Sequence, residues 1–293
     1  MSDIKQISRE ELNEILKDHE LWSNTIGKEG KRADLSYTNL SGMDLRGANL
    51  KRAILTHADL VYADLKHANL AYADLRYADL RGTDAENVDF MSADLKYAKL
   101  NDANLKRANF KYADSRFADF EYADLRYACA ISTGFEGSNF KNAILRWASL
   151  KFSDLEGVNL KYADISHARL SGALMKDIEV NTNTTGYALA CPEKGSFIGY
   201  KKAGKCIVEL LILDDSKRVS ATSARCRTDK ARVLEIRDIE TNALVDEVCS
   251  DYDDNFVYKT GEIICVKDFD NDRWNTFTTG IHFFISKDEA MNY

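Results

Sequence analysis

The chain has 293 residues, of which 45% are hydrophobic and 30% charged, and it carries a formal net charge of −7. That length leaves room for two ordinary domains, and the composition excludes a disordered chain. No apolar run approaches the ~20 residues that cross a bilayer, and charges of −1 (residues 1–32), −1 (33–177) and −5 (178–293) make neither membrane nor nucleic acid an expected partner.

The N-terminal stretch MSDIKQISREELNEIL is charged and lacks the apolar core of a secretory signal, so a cytoplasmic protein is expected. Residues 8–23 predict an amphipathic helix. Ser8 and Glu11 have capping-box spacing, and Leu12, Ile15, Leu16, His19 and Trp22 share one face. Residues 1–32 then form a cap, with His19 packed inside it rather than serving as a ligand.

From Leu35 to Met175 a centre, apolar everywhere but Ser115, returns every five residues, giving 29 centres without a slip in phase. Alanine stands two residues before most centres, and Asp or Asn one residue before. This A-(D/N)-L-x-x pattern resembles the signature of the pentapeptide-repeat family over residues 33 to about 175. The resemblance implies a right-handed quadrilateral (four-sided) β-helix, with one pentapeptide on each side and twenty residues per coil. A five-residue step that turns the chain by a quarter circle returns each centre to the axis, where Leu or Phe fills the interior and Ala admits the close wall. Asp or Asn suits the turn because its side chain bonds nearby backbone amides. Ala85, Ser115 and Ala130 are small where a large centre belongs; they mark either a looser coil or a kink that shapes a binding surface.

Outward positions align at intervals of twenty. Tyr37, His57, Tyr77, Tyr97 and Phe117 form an aromatic column. Arg46, Lys66, Lys106, Arg126 and Arg146, interrupted by Glu86, form a mostly basic one, and Asp34, Asp74, Asp94 and Asp114 an acidic one. Stacking and solubility account for these columns. A docking face for an acidic protein partner also accounts for them. Some members of the family mimic duplex DNA and inhibit or protect DNA gyrase. That role depends on a strongly acidic surface, which the near-neutral repeat lacks.

After residue 177 the beat gives way to an expected α+β domain over 178–293. Strands are predicted in pairs within 196–213 and 231–249 and singly in GEIICV and GIHFFIS, with a last helix opened by a second capping box of Ser286 and Glu289. The pieces CPEKGSFIGYKKAG, SATSARCRTDKARVLEI and GIHFFISKDEAMNY resemble a C-terminal domain of unknown function found in phage-encoded and bacterial pentapeptide-repeat proteins. GIHFFISKDEAMNY also bears a likeness to ADP-ribosyltransferases, which implies His282 and Ser286 in a site where GSF at 195–197 touches a nicotinamide; no catalytic Glu is placed. Lys217, Arg218, Arg225 and Arg227, set among Ser220, Thr222 and Ser223, form either a phosphate or acidic-surface site or a solvated loop. The runs SDYDDNF and DFDNDRW lack the full spacing of a calcium loop. Six cysteines without C-x-x-C spacing read as reduced, mostly buried thiols. No cofactor, metal or catalytic residue is expected. The leading reading is a mainly β, non-catalytic interaction or scaffold protein of phage or prophage origin with an unknown protein partner.

Overall fold

In the computed structural model, which describes residues 4–275 and 278–293, the chain divides into one unit ending at Tyr187 and a second beginning at Ala188. Among the described residues no helix is long and apolar enough to cross a membrane.

The first unit is a repeating coil whose backbone can be accounted for donor by donor. Around Leu65, the Asp64 amide donates to Met43 O of the preceding coil, and Leu65 and His67 donate to Asp84 O and Glu86 O of the next. Ala68 closes the turn onto Leu65 O, and the Lys66 amide donates to Asp64 Oδ1 at 3.1 Å. All five amides of the pentapeptide are therefore paired, the last only because Asp precedes the centre. Residues one before the centre pair in parallel with those twenty further on, from Asp34↔Ile54 to Asn159↔Glu179, so four pentapeptides complete a coil. The final pairing, Asp164↔Thr185, spans twenty-one residues and carries the coil past the expected end of the repeat at 177.

Centres and their preceding alanines are buried together, Leu65 with Ala63 and Leu75 with Ala73. The small centres do not interrupt the coil, because pairing keeps its twenty-residue step through Asp84↔Asn104, Asp114↔Gly134 and Cys129↔Ser149. Instead, large neighbours surround them. Phe110, Phe120, Phe135 and Phe140 form a contiguous cluster beside Ser115 and Ala130, with Phe120 and Phe140 stacked at 4.6 Å. The volume lost at one centre is taken up by its neighbours.

Strand β1 (Lys5–Gln6) pairs in parallel with β2 (Thr38–Asn39) of the first coil. Between them helix α1 (Arg9–Asn24) begins with both reciprocal capping bonds: Glu11 N–H donates to Ser8 Oγ, and Ser8 N–H donates to a Glu11 carboxylate oxygen. Its buried residues are Leu12 and His19. His19 Nδ1 accepts from the Ala33 amide at 3.0 Å, which joins the helix to the start of the coil.

The second unit is built on strands β3 (Phe197–Ala203), β4 (Cys206–Ile212), β5 (Arg218–Ser220), β6 (Cys226–Thr228), β7 (Lys230–Asp238), β8 (Glu247–Ser250), β9 (Asp253–Lys259), β10 (Ile263–Cys265) and β11 (Ile281–Phe283), followed by helix α2 (Lys287–Met291). A four-stranded sheet has the order β10-β7-β4-β3, a three-stranded sheet β11-β6-β5, and β8 and β9 form a hairpin. The core contains Val208, Leu210 and Ile212 of β4, Val233 and Ile236 of β7, and Phe283 of β11. Gly199 is required by packing, since a Cβ there would stand 2.6 Å from Phe283 Cδ2.

Three expectations are corrected in this unit. The pair predicted within 231–249 forms only in part: Arg237 bridges Leu244 antiparallel and the Val245 amide donates to Ile236 O at 2.9 Å, but along the rest of its length β7 joins β4 and β10, and β8 joins β9, which begins within SDYDDNF. The stretch containing Lys217 to Arg227 is not a loop but holds the β5–β6 hairpin. Ser286 occupies the N-cap of α2 without a side-chain hydrogen bond, so the second capping box does not form.

Candidate interaction surface

Two residues after each centre the backbone enters the left-handed region, with φ of 57° at His57, 61° at Tyr77 and 59° at Phe117. A positive φ at the third turn residue is the mark of a type II turn and favours Gly, yet most corners here carry a side chain. Each non-glycine corner costs ~1–2 kcal/mol of backbone strain. Contacts between successive coils offset that cost. Tyr37, His57, Tyr77, Tyr97 and Phe117 stack at centroid distances of 4.6, 4.8, 4.9 and 5.2 Å with interplanar angles of 13° or less. Their faces are covered by one another, so the column offers mainly ring edges outward.

Two other corner columns alternate large and small residues. Tyr62 lies over Gly82 and Phe152 over Gly172, and a Cβ at either glycine would meet the ring. Tyr72, Ser92, Tyr112, Ser132, Phe152 and Gly172 occupy one such column, and all six have positive φ. Here rings are not stacked on rings, and two of them stand further into solvent, Tyr112 63% and Phe152 64% exposed. Sequence reasoning passed over these residues. Their signal is the same twenty-residue step, interrupted by small side chains.

The basic column does not present free charge. Arg46 forks onto Asp44 at 2.9 and 2.6 Å and reaches Asp64 at 3.6 Å. Lys66 pairs with Asp84, Lys106 and Arg126 both pair with Asp124, and Arg146 pairs with Asp164. Arg46 hydrogen bonds hold the Asp44 carboxyl well below the usual carboxylate range. The acidic column is matched likewise: Lys96 bridges Asp94 and Asp114 at 3.0 and 3.1 Å. Burial raises the Asp114 pKa, but hydrogen bonds from Arg116 and Lys96 outweigh it and bring it to about 2. Elsewhere an Asn relieves a stacked Asp, as Asn104 Nδ2 donates to Asp84 at 2.9 Å. The expected basic face for an acidic partner is thus neutralised within the coil, because residues flanking each centre belong to adjacent, oppositely charged columns.

In the second unit, the five candidate residues divide. Arg218 donates to the carbonyls of Gly195, Leu213 and Asp214, and Arg227, only 3% exposed, to those of Asp270, Asp272 and Thr279. Both guanidiniums are occupied in joining chain segments, which corrects the phosphate-site reading for them. Lys217 is exposed at the start of the hairpin. Arg225 and His282 meet in a separate cavity with Lys201 and Tyr258, neither of which the sequence singled out.

The nicotinamide reading is also corrected. Phe197 packs toward Phe283 at 5.9 Å, whereas His282 takes the opposite side of β11 by strand alternation. Ser286 and residues 195–197 do not line the cavity that contains His282. Among the described residues no cluster of three His, Cys, Asp or Glu could hold a metal. Of the cysteines, Cys191, Cys206 and Cys226 are buried while Cys249 and Cys265 are exposed, so half rather than most are buried.

A family model of pentapeptide repeats (8 copies) matches residues 33–71, 68–107, 98–142 and 138–177, and a family of unknown function, DUF5758, matches 187–290. No curated protein matches the chain. HetL, a pentapeptide repeat protein involved in heterocyst differentiation regulation from the cyanobacterium Nostoc sp. strain PCC 7120, is 31% identical over 51% of this chain and 77% of its own, with a TM-score of 0.37. A pentapeptide repeat protein from the Arabidopsis thaliana thylakoid lumen is 29% identical over 36% of this chain and 63% of its own, with a TM-score of 0.24. QnrB1, a plasmid-mediated fluoroquinolone resistance protein, is 20% identical over 50% of this chain and 78% of its own, with a TM-score of 0.30. On the repeat model and the 31% identity, the chain belongs to the pentapeptide-repeat family.

Proposed function

We propose that the protein is a non-catalytic interaction or scaffold protein whose coil, a right-handed and four-sided β-helix, serves as a rigid docking surface for a protein partner. The second unit acts as a partner-binding module, and the setting is cytoplasmic, in a protein of phage or prophage origin. The observation that carries this reading is the support of exposed rings by the next coil, as Phe152 is supported by Gly172. Aromatic side chains held in place lose little entropy on binding and are favoured as interface anchors. The internal pairing of Arg and Lys with Asp disfavours both an acidic partner and mimicry of DNA directed at gyrase.

The test compares wild-type protein with a Tyr112→Ser, Phe152→Ser double variant as baits in host lysate. Ser92 and Ser132 adopt the same corner in the same column, so the variant retains the coil. A partner bound saturably by wild type and lost from the variant supports docking at this column. Equal capture by both contradicts it.

A further inference from the structure

A cavity of about 830 Å³ opens in the second unit, among residues of β3, the β8–β9 hairpin and β11. Its size lies within the range of small-molecule sites. Lys201, in the middle of β3, contributes its ammonium group, which meets no hydrogen-bond or ion-pair partner among the described residues; the Tyr258 ring centroid is 5.9 Å away. Asp251, the lining acid that acts on Lys201 electrostatically, is itself engaged by the Gly204 amide at 2.6 Å. Arg225 adds a second cation, its guanidinium carbon 5.1 Å from the Tyr293 ring centroid. With Lys202 and Asp253, the lining holds three basic and two acidic side chains, a net charge of +1.

His282 does not add to that charge. Its Nε2 lies 3.0 Å from Thr278 O, a carbonyl that requires the ring to donate there. Burial, followed by the nearby cations, lowers its pKa to about 4, so the ring is neutral at pH 7. The remaining wall includes the rings of Tyr258, Phe284 and Tyr293. A partly buried cation with no ion-pair partner among the described residues, beside several aromatic rings, is matched by an aromatic anion.

We propose that this cavity binds a small organic anion carrying a planar ring, its acid group at Lys201 and Arg225 and its ring against Tyr258 and Phe284. The site is independent of the docking columns of the coil.

Ligand-observed NMR titration of the full-length protein tests this with adenosine monophosphate and indole-3-acetate as phosphate and carboxylate probes. Adenosine is the uncharged control and inorganic phosphate the ringless one. The expected result is saturable binding of at least one aromatic anion, tighter than either control. Lys201→Met should weaken it about ten-fold or more, the loss expected for a charge-assisted contact. Lys99→Met, on the coil, should leave it unchanged. No saturable binding of either anion below about 5 mM would overturn the proposal. Equal binding of adenosine, or undiminished binding by Lys201→Met, would overturn it too. Arg225→Gln decides the matter should Lys201→Met fail to fold: weakened binding supports the site, and unchanged binding contradicts it.

Discussion

The ring of Phe117 lies over Gly137 of the next coil, so close that a Cβ at 137 would stand 2.6 Å from both Cδ1 and Cε1 of the ring. Gly137 also has φ of 66°. Gly137→Ala therefore adds a steric conflict to backbone strain and should destabilise the coil by about 2–3 kcal/mol. Gly47→Ala, with φ of 63° and nothing within 4 Å of its Cβ, should lose only the strain, about 1 kcal/mol. Denaturant titration of the two variants separates the effects, and equal losses would contradict the packing argument.

Asp119 tests the account of the backbone donors. Its Oδ1 accepts from the Glu121 amide at 3.1 Å and from Asn139 Nδ2 at 2.9 Å. Asp119→Asn retains an acceptor and should change stability by less than about 0.5 kcal/mol. Asp119→Ala leaves the Glu121 amide without its partner and should cost about 1 kcal/mol. Thermal melts of both variants check the ordering, and equal losses would show that charge rather than the turn bond governs this position.

Acid should weaken both units through histidines held neutral. His19 accepts at Nδ1 from Ala33, and burial lowers its pKa; His282 is lowered to about 4, again chiefly by burial. The unfolded chain takes up a proton near pH 6.5, before the folded chain does. Stability is thus complete above pH 6.5 and falls as pH drops towards each folded pKa. For His282 the loss between pH 6.5 and 4 should reach roughly 3 kcal/mol. Lys201, Arg225 and Arg227 all oppose its protonation. Denaturation of wild type and His282→Gln at pH 7.5, 6 and 4.5 should show a shallower pH dependence in the variant. Identical slopes would contradict the assignment.

Thiol reactivity follows burial. Cys249 and Cys265 are exposed, and Cys191, Cys206 and Cys226 are buried. The Cys226 thiol is pushed far up by its hydrogen bond with Cys191 and by burial, so it does not supply a reactive thiolate. Reagent titration of the native protein should label Cys249 and Cys265 first, as read by peptide mass spectrometry. Fast labelling of Cys226 would contradict the packing of this core.

Much of the coil was legible because Leu35 to Met175 keep a single phase and the Asp before a centre has a specific backbone task. The five stacked rings from Tyr37 to Phe117 were legible from the same count. Charge pairing was not, although Asp44 and Arg46 are only two residues apart. Reading columns at intervals of twenty separates side chains that the turn brings together. Tyr112 and Phe152 escaped notice because Ser132 stands between them, and a column that alternates ring and hydroxyl does not read as aromatic. In the second unit β5 and β6 have three residues each, too few for a period, and Arg218 and Arg227 look solvated until the carbonyls around them are known. The acids at the start of β9 conceal the alternation that places Phe256 and Tyr258 on one face.

Oxidative footprinting of the full-length protein in host lysate and in buffer tests the docking account most directly. Tyr112 and Phe152 should be protected in lysate while the exposed Tyr62, in another corner column, is labelled equally in both. Equal labelling of Tyr112 and Phe152 under the two conditions would contradict a partner at this column.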